Sequence, residues 1–231
     1  RKSKYLILVF DNHLYCVIHL GMSGTLHFIG LKKKTTNLSF YGSQSLPKKH
    51  NHIIFRFKNF KLIYNDPRRF GFFKILENKK DYLKFFTRIG PEAISKDFNK
   101  KYLSQILKNR TKNIKNLLLD QKLVSGLGNI YVNEILFQAK INPFKKSYLI
   151  NLDENKRIVK YSKIILKKAI HFGGSSIRDF KGITGKSGNF QSEFKVYDRA
   201  KKRCSRNNCS GQINRKIISN RSTFLCSVCQ K

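Results

Sequence analysis

Acidic residues are scarce in this chain. Thirteen Asp and Glu face 48 Lys and Arg, a formal net charge of +35 on 231 residues. A surface so short of carboxylates offers little to a basic partner and much to a polyanion, whose counterions are released on binding. The chain is rich in Lys, Asn and Ile, as an AT-rich coding sequence would make it, and that bias inflates the positive count without creating it. Long apolar runs are missing too: none reaches the length of a membrane span, so no membrane partner is expected. No signal peptide is visible, and Cys16 is the only cysteine outside the last twenty-eight residues. Both points argue against a secreted domain stapled by two disulfides and for a cytoplasmic protein. Methionine occurs once, at Met22, so the chain lacks an initiator and reads as processed or partial. The length allows one or two domains, with enough chain for a core, plus a small metal module.

That module is the C-terminal stretch. It reads CSRNNC, then residues 210–225, then CSVC. The pairs Cys204 with Cys209 and Cys226 with Cys229, separated by a hairpin-length insert, can place four thiolates at the corners of a tetrahedron, as a structural Zn²⁺ requires. The first pair is wider than the two-residue spacing of most ribbons. Arg203, Arg206, Arg215, Lys216 and Arg221 surround the cysteines and suggest nucleic acid.

Upstream, residues 5–10, 14–20, 25–29, 53–57, 61–64 and 70–75 are short runs of β-branched, aromatic and aliphatic side chains. Turns are expected at Asp11–Asn12 and Lys58–Asn59. So many short strands read as an antiparallel sandwich or barrel. Residues 32–52 read as a long basic loop. Residues 88–95 (RIGPEAIS) break the strand pattern at Gly90 and Pro91 and mark a linker. Helical spacing follows in 98–108, 113–120 and 154–172, the last with an Asn151–Glu154 cap and a Gly173–Gly174 end. The turn SGLGN leads into a helix near Asn129, leaving backbone N–H groups free to take a phosphate. The lysines at 156, 160, 163 and 167 read mostly as a solvated face.

Three segments stand out: RKSKYL at 1–6, HLGMSG at 19–24 and NDPRRFG at 65–71. Singly each has a bland reading, as a strand end or a basic turn. In this order, with the C-terminal ribbon and its closing CQK, the chain resembles the formamidopyrimidine-DNA glycosylase family of base-excision repair enzymes over essentially its whole length. The resemblance implies an α+β multidomain protein with an N-terminal antiparallel β-sandwich, incomplete here, over 1–89 and a linker over 90–95. A helix–two-turn–helix domain with a lesion-recognition loop follows over 96–200, and a zinc-finger β-hairpin over 201–231.

The implied substrate is double-stranded DNA carrying oxidised purines or abasic sites, bound by a monomer in the bacterial cytoplasm. A base inside a duplex must be flipped out to be reached, and the vacancy must be filled. By match, Met22, Arg68 and Phe70 are the fillers, with the Arg68 guanidinium hydrogen-bonding the orphaned base. His50, Arg110, Lys122 and Asn129 match phosphate contacts. Lys4 matches a lysine that assists base release and β-elimination, and Arg221 matches the ribbon arginine linked to the second elimination. Glu134 matches an acidic residue near the site. Residues 179–199 match the loop that closes over the extruded base. The family reaction begins with attack on the sugar C1′ by an N-terminal Pro amine, assisted by a Glu; a Schiff base then allows strand cleavage. That Pro-Glu start is absent from these 231 residues, so impaired glycosylase activity and exposed apolar surface on the β domain are expected of the chain alone. The competing expectations are a non-catalytic damaged-DNA-binding remnant and a generic zinc-ribbon nucleic-acid binder; HLGMSG with NDPRRFG argues against the latter.

Overall fold

The computed structural model describes residues 1–30, 35–36, 47–175 and 188–231. The chain divides into two compact units: Arg1–Phe85 with Phe172–Gln191, and Phe86–His171 with Ser192–Lys231.

The first unit is built from β1 (Tyr5–Val9), β2 (Tyr15–His19), β3 (Thr25–Gly30), β4 (Thr35–Thr36), β5 (Asn51–Arg56), β6 (Phe60–Asn65) and β7 (Phe72–Leu76). These form two antiparallel sheets, ordered β1-β2-β7 and β4-β3-β6-β5. Strand alternation explains how they pack. Ile18 lies opposite Phe73, and the Phe73 ring meets Tyr64 at 4.8 Å and Phe55 at 5.8 Å in the other sheet. Residues of opposite parity form the outer face, and there α1 (Lys79–Phe86) lays Tyr82 on Tyr15 at 4.8 Å and Phe85 against Tyr5 at 5.6 Å. No hydrophobic run announces α1. Its signal is polar: the Asn78 Oδ1 accepts from the Asp81 N–H at 2.9 Å, a cap on the first turn. Val9, Ile75 and Leu83 remain more than half exposed.

The first hairpin turns over residues 11–13, one residue wider than the sequence suggests, with His13 at φ 62°. Asn189 N–H donates to Phe172 O and Phe190 N–H to Gly174 O. Of the segment 179–199 expected to recognise the lesion, residues 179–187 lie outside the described residues, as does most of the basic loop at 32–52.

The second unit holds α2 (Lys100–Leu107), α3 (Ile114–Leu119), α4 (Asn129–Gln138), α5 (Leu152–His171) and the hairpin of β8 (Ile213–Ile218) with β9 (Arg221–Cys226). Asparagine starts three of the helices. Asn99 caps Tyr102 N–H at 3.0 Å, Asn113 caps Asn116 N–H at 2.8 Å, and Asn151 and Glu154 cap each other's N–H reciprocally. Every residue from Val132 to Phe137 is buried, because α4 is enclosed by α3, α5 and β9. α5 buries Ile158, Val159, Ile165 and Ala169 and exposes Lys156, Lys160 and Lys167. Among the described residues, no helix is long and apolar enough to cross a membrane.

Candidate nucleic-acid interface and cysteine cluster

In the first unit, the HLGMSG and NDPRRFG segments form two turns built on one carboxylate. Asp66 is fully buried. Its Oδ1 accepts from Ser23 Oγ and from Arg68 N–H at 3.2 Å, and its Oδ2 accepts from Tyr64 OH at 2.8 Å and Gly71 N–H at 2.9 Å. Burial disfavours the charged form, but the Ser23 hydroxyl, the Gly71 N–H, the Tyr64 hydroxyl and the Arg68 N–H outweigh it and hold the carboxyl below its ordinary value. Burial and the same carboxylate push the Tyr64 hydroxyl upward. The backbones touch as well. Gly21 sits at φ 67°, and a Cβ there would meet Phe70 C at 2.6 Å.

On this base the outward side chains are Met22, 60% exposed, and Phe70, 54% exposed, with the Arg68 guanidinium 4.5 Å above the Phe70 ring. His50 ends a short 3-10 turn against the same carboxylate's backbone, its carbonyl accepting Asp66 N–H at 3.0 Å. Lys4 is exposed just before β1. It bears on His19, whose imidazole is held below its ordinary value by burial first and by the Lys4 charge second. The structure thus gathers Met22, Arg68, Phe70 and His50 around Asp66, with His19 linking Lys4 to the Met22 turn through its Nδ1, which accepts Gly21 N–H at 3.1 Å.

The second unit gathers another set. The N-cap residue of α4, Gly128, offers no side-chain cap to the first turn of that helix. Asn129 Nδ2 donates to Ser222 O at 3.0 Å. Ser222 directly follows Arg221, which is exposed at the start of β9 after two left-handed residues, Ser219 and Asn220. Lys115, wholly buried on α3, donates from Nζ to the same Ser222 O at 2.9 Å and to Thr223 Oγ1 at 2.7 Å. Burial, and then the Arg221 charge, push the Lys115 amine down to about 8. Lys122 is exposed, its N–H on Asp120 Oδ1 at 3.1 Å; Arg110 is exposed beyond the end of α2. Among the described residues, neither of these two makes a hydrogen bond or ion pair to Asn129 or Arg221.

Glu134 is not displayed to solvent. Its carboxylate accepts the consecutive N–H groups of Lys195, Val196 and Tyr197 at 2.8–3.2 Å, while burial still holds its pKa above the ordinary value. It anchors the chain entering the cysteine module. There the Sγ atoms of Cys204, Cys209, Cys226 and Cys229 all lie within 4.8 Å of one another. Cys204–Cys229 and Cys209–Cys226 are 3.8 and 3.6 Å apart. Tetrahedral thiolates at a Zn–S length of about 2.3 Å would sit roughly 3.8 Å apart, so the donors fit such an ion. The spacing is too long for a disulfide, whose S–S length is about 2.0 Å. Without a cation the group could not ionise together: burial, Cys226 and Cys204 push the Cys229 thiol up to about 12. The wide Cys204–Cys209 loop supplies Arg206, which donates to Phe137 O at 2.6 Å and Gln138 O at 3.1 Å at the end of α4.

Sequence reasoning singled out the outward side chains and missed Asp66, Ser23, Tyr64 and Lys115, which organise them. Asp66 and Ser23 lay inside the quoted motifs; Lys115 had no signal beyond being a lysine beside the apolar positions of α3.

Two family models match the sequence. The formamidopyrimidine-DNA glycosylase N-terminal domain matches residues 1–73, and the formamidopyrimidine-DNA glycosylase H2TH domain matches residues 89–181. The chain belongs to the formamidopyrimidine-DNA glycosylase family. Its relatives include the formamidopyrimidine-DNA glycosylases of Roseobacter denitrificans, 41% identical over the whole chain and 81% of that protein, and of Phenylobacterium zucineum, 37% identical over the same shares. Among solved structures, a mutant Lactococcus lactis FPG in complex with a Fapy-dG containing DNA superposes with a TM-score of 0.85 at 34% identity, over all of this chain and 80% of that one. The Lactococcus lactis protein with an abasic site containing DNA gives a TM-score of 0.83 at 34% identity, over the same shares. Family membership accounts for the fold class expected from the sequence: a β domain, a helical domain and a C-terminal cysteine cluster.

Proposed function

We propose that this chain is a base-excision repair DNA glycosylase acting on oxidised purines, 8-oxoguanine and formamidopyrimidines, in double-stranded DNA. The observation that carries the reading is the pair of turns fixed on Asp66, which present a thioether, a guanidinium and an aromatic ring side by side. A flipped base leaves a vacancy that such a group fills: Met22 and Phe70 as apolar wedges, Arg68 as the donor to the orphaned partner base. Relatives bound to DNA with Fapy-dG or an abasic site support the same substrate class.

His50, Arg110, Lys122 and Asn129 hold backbone phosphates. The uncapped α4 N-terminus favours a phosphate at Asn129, and the hydrogen bond from Asn129 to Ser222 places Arg221 near the same helix end. The four cysteines hold one structural Zn²⁺, which fixes the β8–β9 hairpin carrying Arg221. The chemistry proceeds through an amine of the protein. The amine bonds to the sugar C1′ as the C1′–base bond breaks and the base leaves with a proton; the C1′–O4′ bond then opens, O4′ taking a proton, and the iminium so formed at C1′ accepts electrons when a C2′ proton departs and the bond to the 3′ phosphate breaks. Lys4 assists base release and that elimination, and Arg221 the second.

The direct test is competition binding. The 231-residue chain should bind an abasic-site duplex at least about tenfold more tightly than the same duplex undamaged, because a vacancy removes part of the cost of unstacking. Equal affinity would overturn the reading. Arg68→Ala should weaken lesion binding by about 1–3 kcal/mol while barely changing plain-duplex affinity. An equal loss on both duplexes would reduce Arg68 to a phosphate contact. Borohydride added with the abasic duplex reports the lyase step: a trapped covalent adduct is expected, and its absence beside tight abasic-site binding would confine this chain to recognition.

A further inference from the structure

We propose that Asp66 and Ser23 are positioning residues that make the Met22 turn and the Arg68–Phe70 turn one rigid insert, so that both sides of the vacancy are filled in a single step. The inference rests on the void-filling reading above and adds a coupling between its parts.

The geometry is specific. Ser23 belongs to the Met22 turn and Asp66 to the Arg68 turn, and their side chains bond directly. The Ser23 Oγ also accepts Arg68 N–H at 3.2 Å, so the hydroxyl joins both the carboxylate and the backbone of the residue that carries the guanidinium. Asp66 Oδ2 then closes the far end of its own turn on Gly71 N–H and ties both turns to β6 through Tyr64 OH. His52 Nε2 lies 2.8 Å from Asp66 O, and the Asp66 N–H is bonded to His50 O, so the residue is held from both sides of its backbone. Beneath the bonds, three glycines let the turns touch: a Cβ at Gly21 would strike Phe70 and Gly71, one at Gly24 would strike Tyr64, and one at Gly71 would strike Tyr64 and His19. Such a unit has no room for one turn to move while the other waits. Packed elements of this kind switch between discrete arrangements and do not deform gradually. Met22 and Phe70 themselves are more than half exposed.

Stopped-flow fluorescence tests this with 2-aminopurine as the reporter, placed either beside an abasic site in the damaged strand or opposite the site. Wild type should give the same insertion rate from both positions. Ser23→Ala removes the bond between the turns without unpairing a buried charge, and Asp66→Asn removes acceptor capacity from the hub. Each should split the two rates by about tenfold or more. Equal rates in a folded Ser23→Ala protein, whether slowed or not, would overturn the coupling. A wild-type chain that gives no lesion-dependent signal at either position would instead overturn the void-filling reading itself.

Discussion

Cys226→Ser should release the metal ion and lower affinity for abasic-site duplex by roughly a hundredfold or more, because a structural zinc supplies on the order of 10 kcal/mol to the fold it closes. Cys226 ends β9 and is fully buried against Phe137, Val196, Ile213 and Phe224. Its sulfur is one of the four donors, and its backbone N–H is held by Gln230 Oε1 at 2.9 Å. Serine offers a harder and more basic oxygen in place of a thiolate, so the remaining three sulfurs lose both the ion and the neutralisation it provides. The hairpin then loses the anchor at the end opposite Arg221, and the contact between Ser222 and Asn129 is no longer fixed. A typical domain is stable by only about 5–15 kcal/mol, so a loss of this size reaches beyond the hairpin. Metal content per chain by mass spectrometry, with fluorescence anisotropy on the abasic duplex, checks both halves. One equivalent of zinc is expected in wild type and none in the variant. Full binding by metal-free protein would show that the cluster does not anchor the DNA grip.

The fold was legible where local chemistry dictates it. The strands of the first unit follow β-branched and aromatic runs between turns, except β4, which falls inside the stretch 32–52 expected to be a loop, and α2, α3 and α5 follow apolar spacing with asparagine caps. The helix α1 was not, because its apolar side is defined only by the aromatic face of the sheet it covers. The site divides in the same way. Outward side chains such as Met22, Arg68 and Arg221 could be named from motifs, since their chemistry is their own. Residues that act by organising others could not. Asp66 is distinguished only by having four donors converge on it, from Ser23, Tyr64, Arg68 and Gly71, and the register that brings Tyr64 and Ser23 together is a property of the folded sheet. Glu134 could be named as an acid matching one near the family's site, but not as an anchor, because the N–H groups of residues 195–197 that it holds lie far along the chain.

Lys115 gives a pH signature that no motif announces. Its amine is pushed down to about 8 from an ordinary 10.5, by burial first and by the Arg221 charge second. Between those values the unfolded chain keeps a proton that the folded chain has released. Stability therefore rises with pH across this window, with none of the gain present well below 8 and all of it present above 10.5. A displacement of this size corresponds to about 3 kcal/mol, over a hundredfold in the folding constant. The neutral amine fits the site, because its two N–H groups still reach Ser222 O and Thr223 Oγ1. Many other groups titrate in the same window in so basic a chain, so the readout is a difference. Urea melts of wild type and Lys115→Met from pH 7 to 11 should diverge, wild type gaining relative to the variant as pH rises. A constant difference would mean that Lys115 keeps its ordinary pKa despite its burial. Arg221→Ala removes the second cause and should move the midpoint upward. A DNA phosphate seated on Arg221 would act in the same direction, so abasic duplex should also raise the midpoint in wild type and have no such effect in Arg221→Ala. That pair of shifts would tie the proposed phosphate grip to a titration of one buried amine.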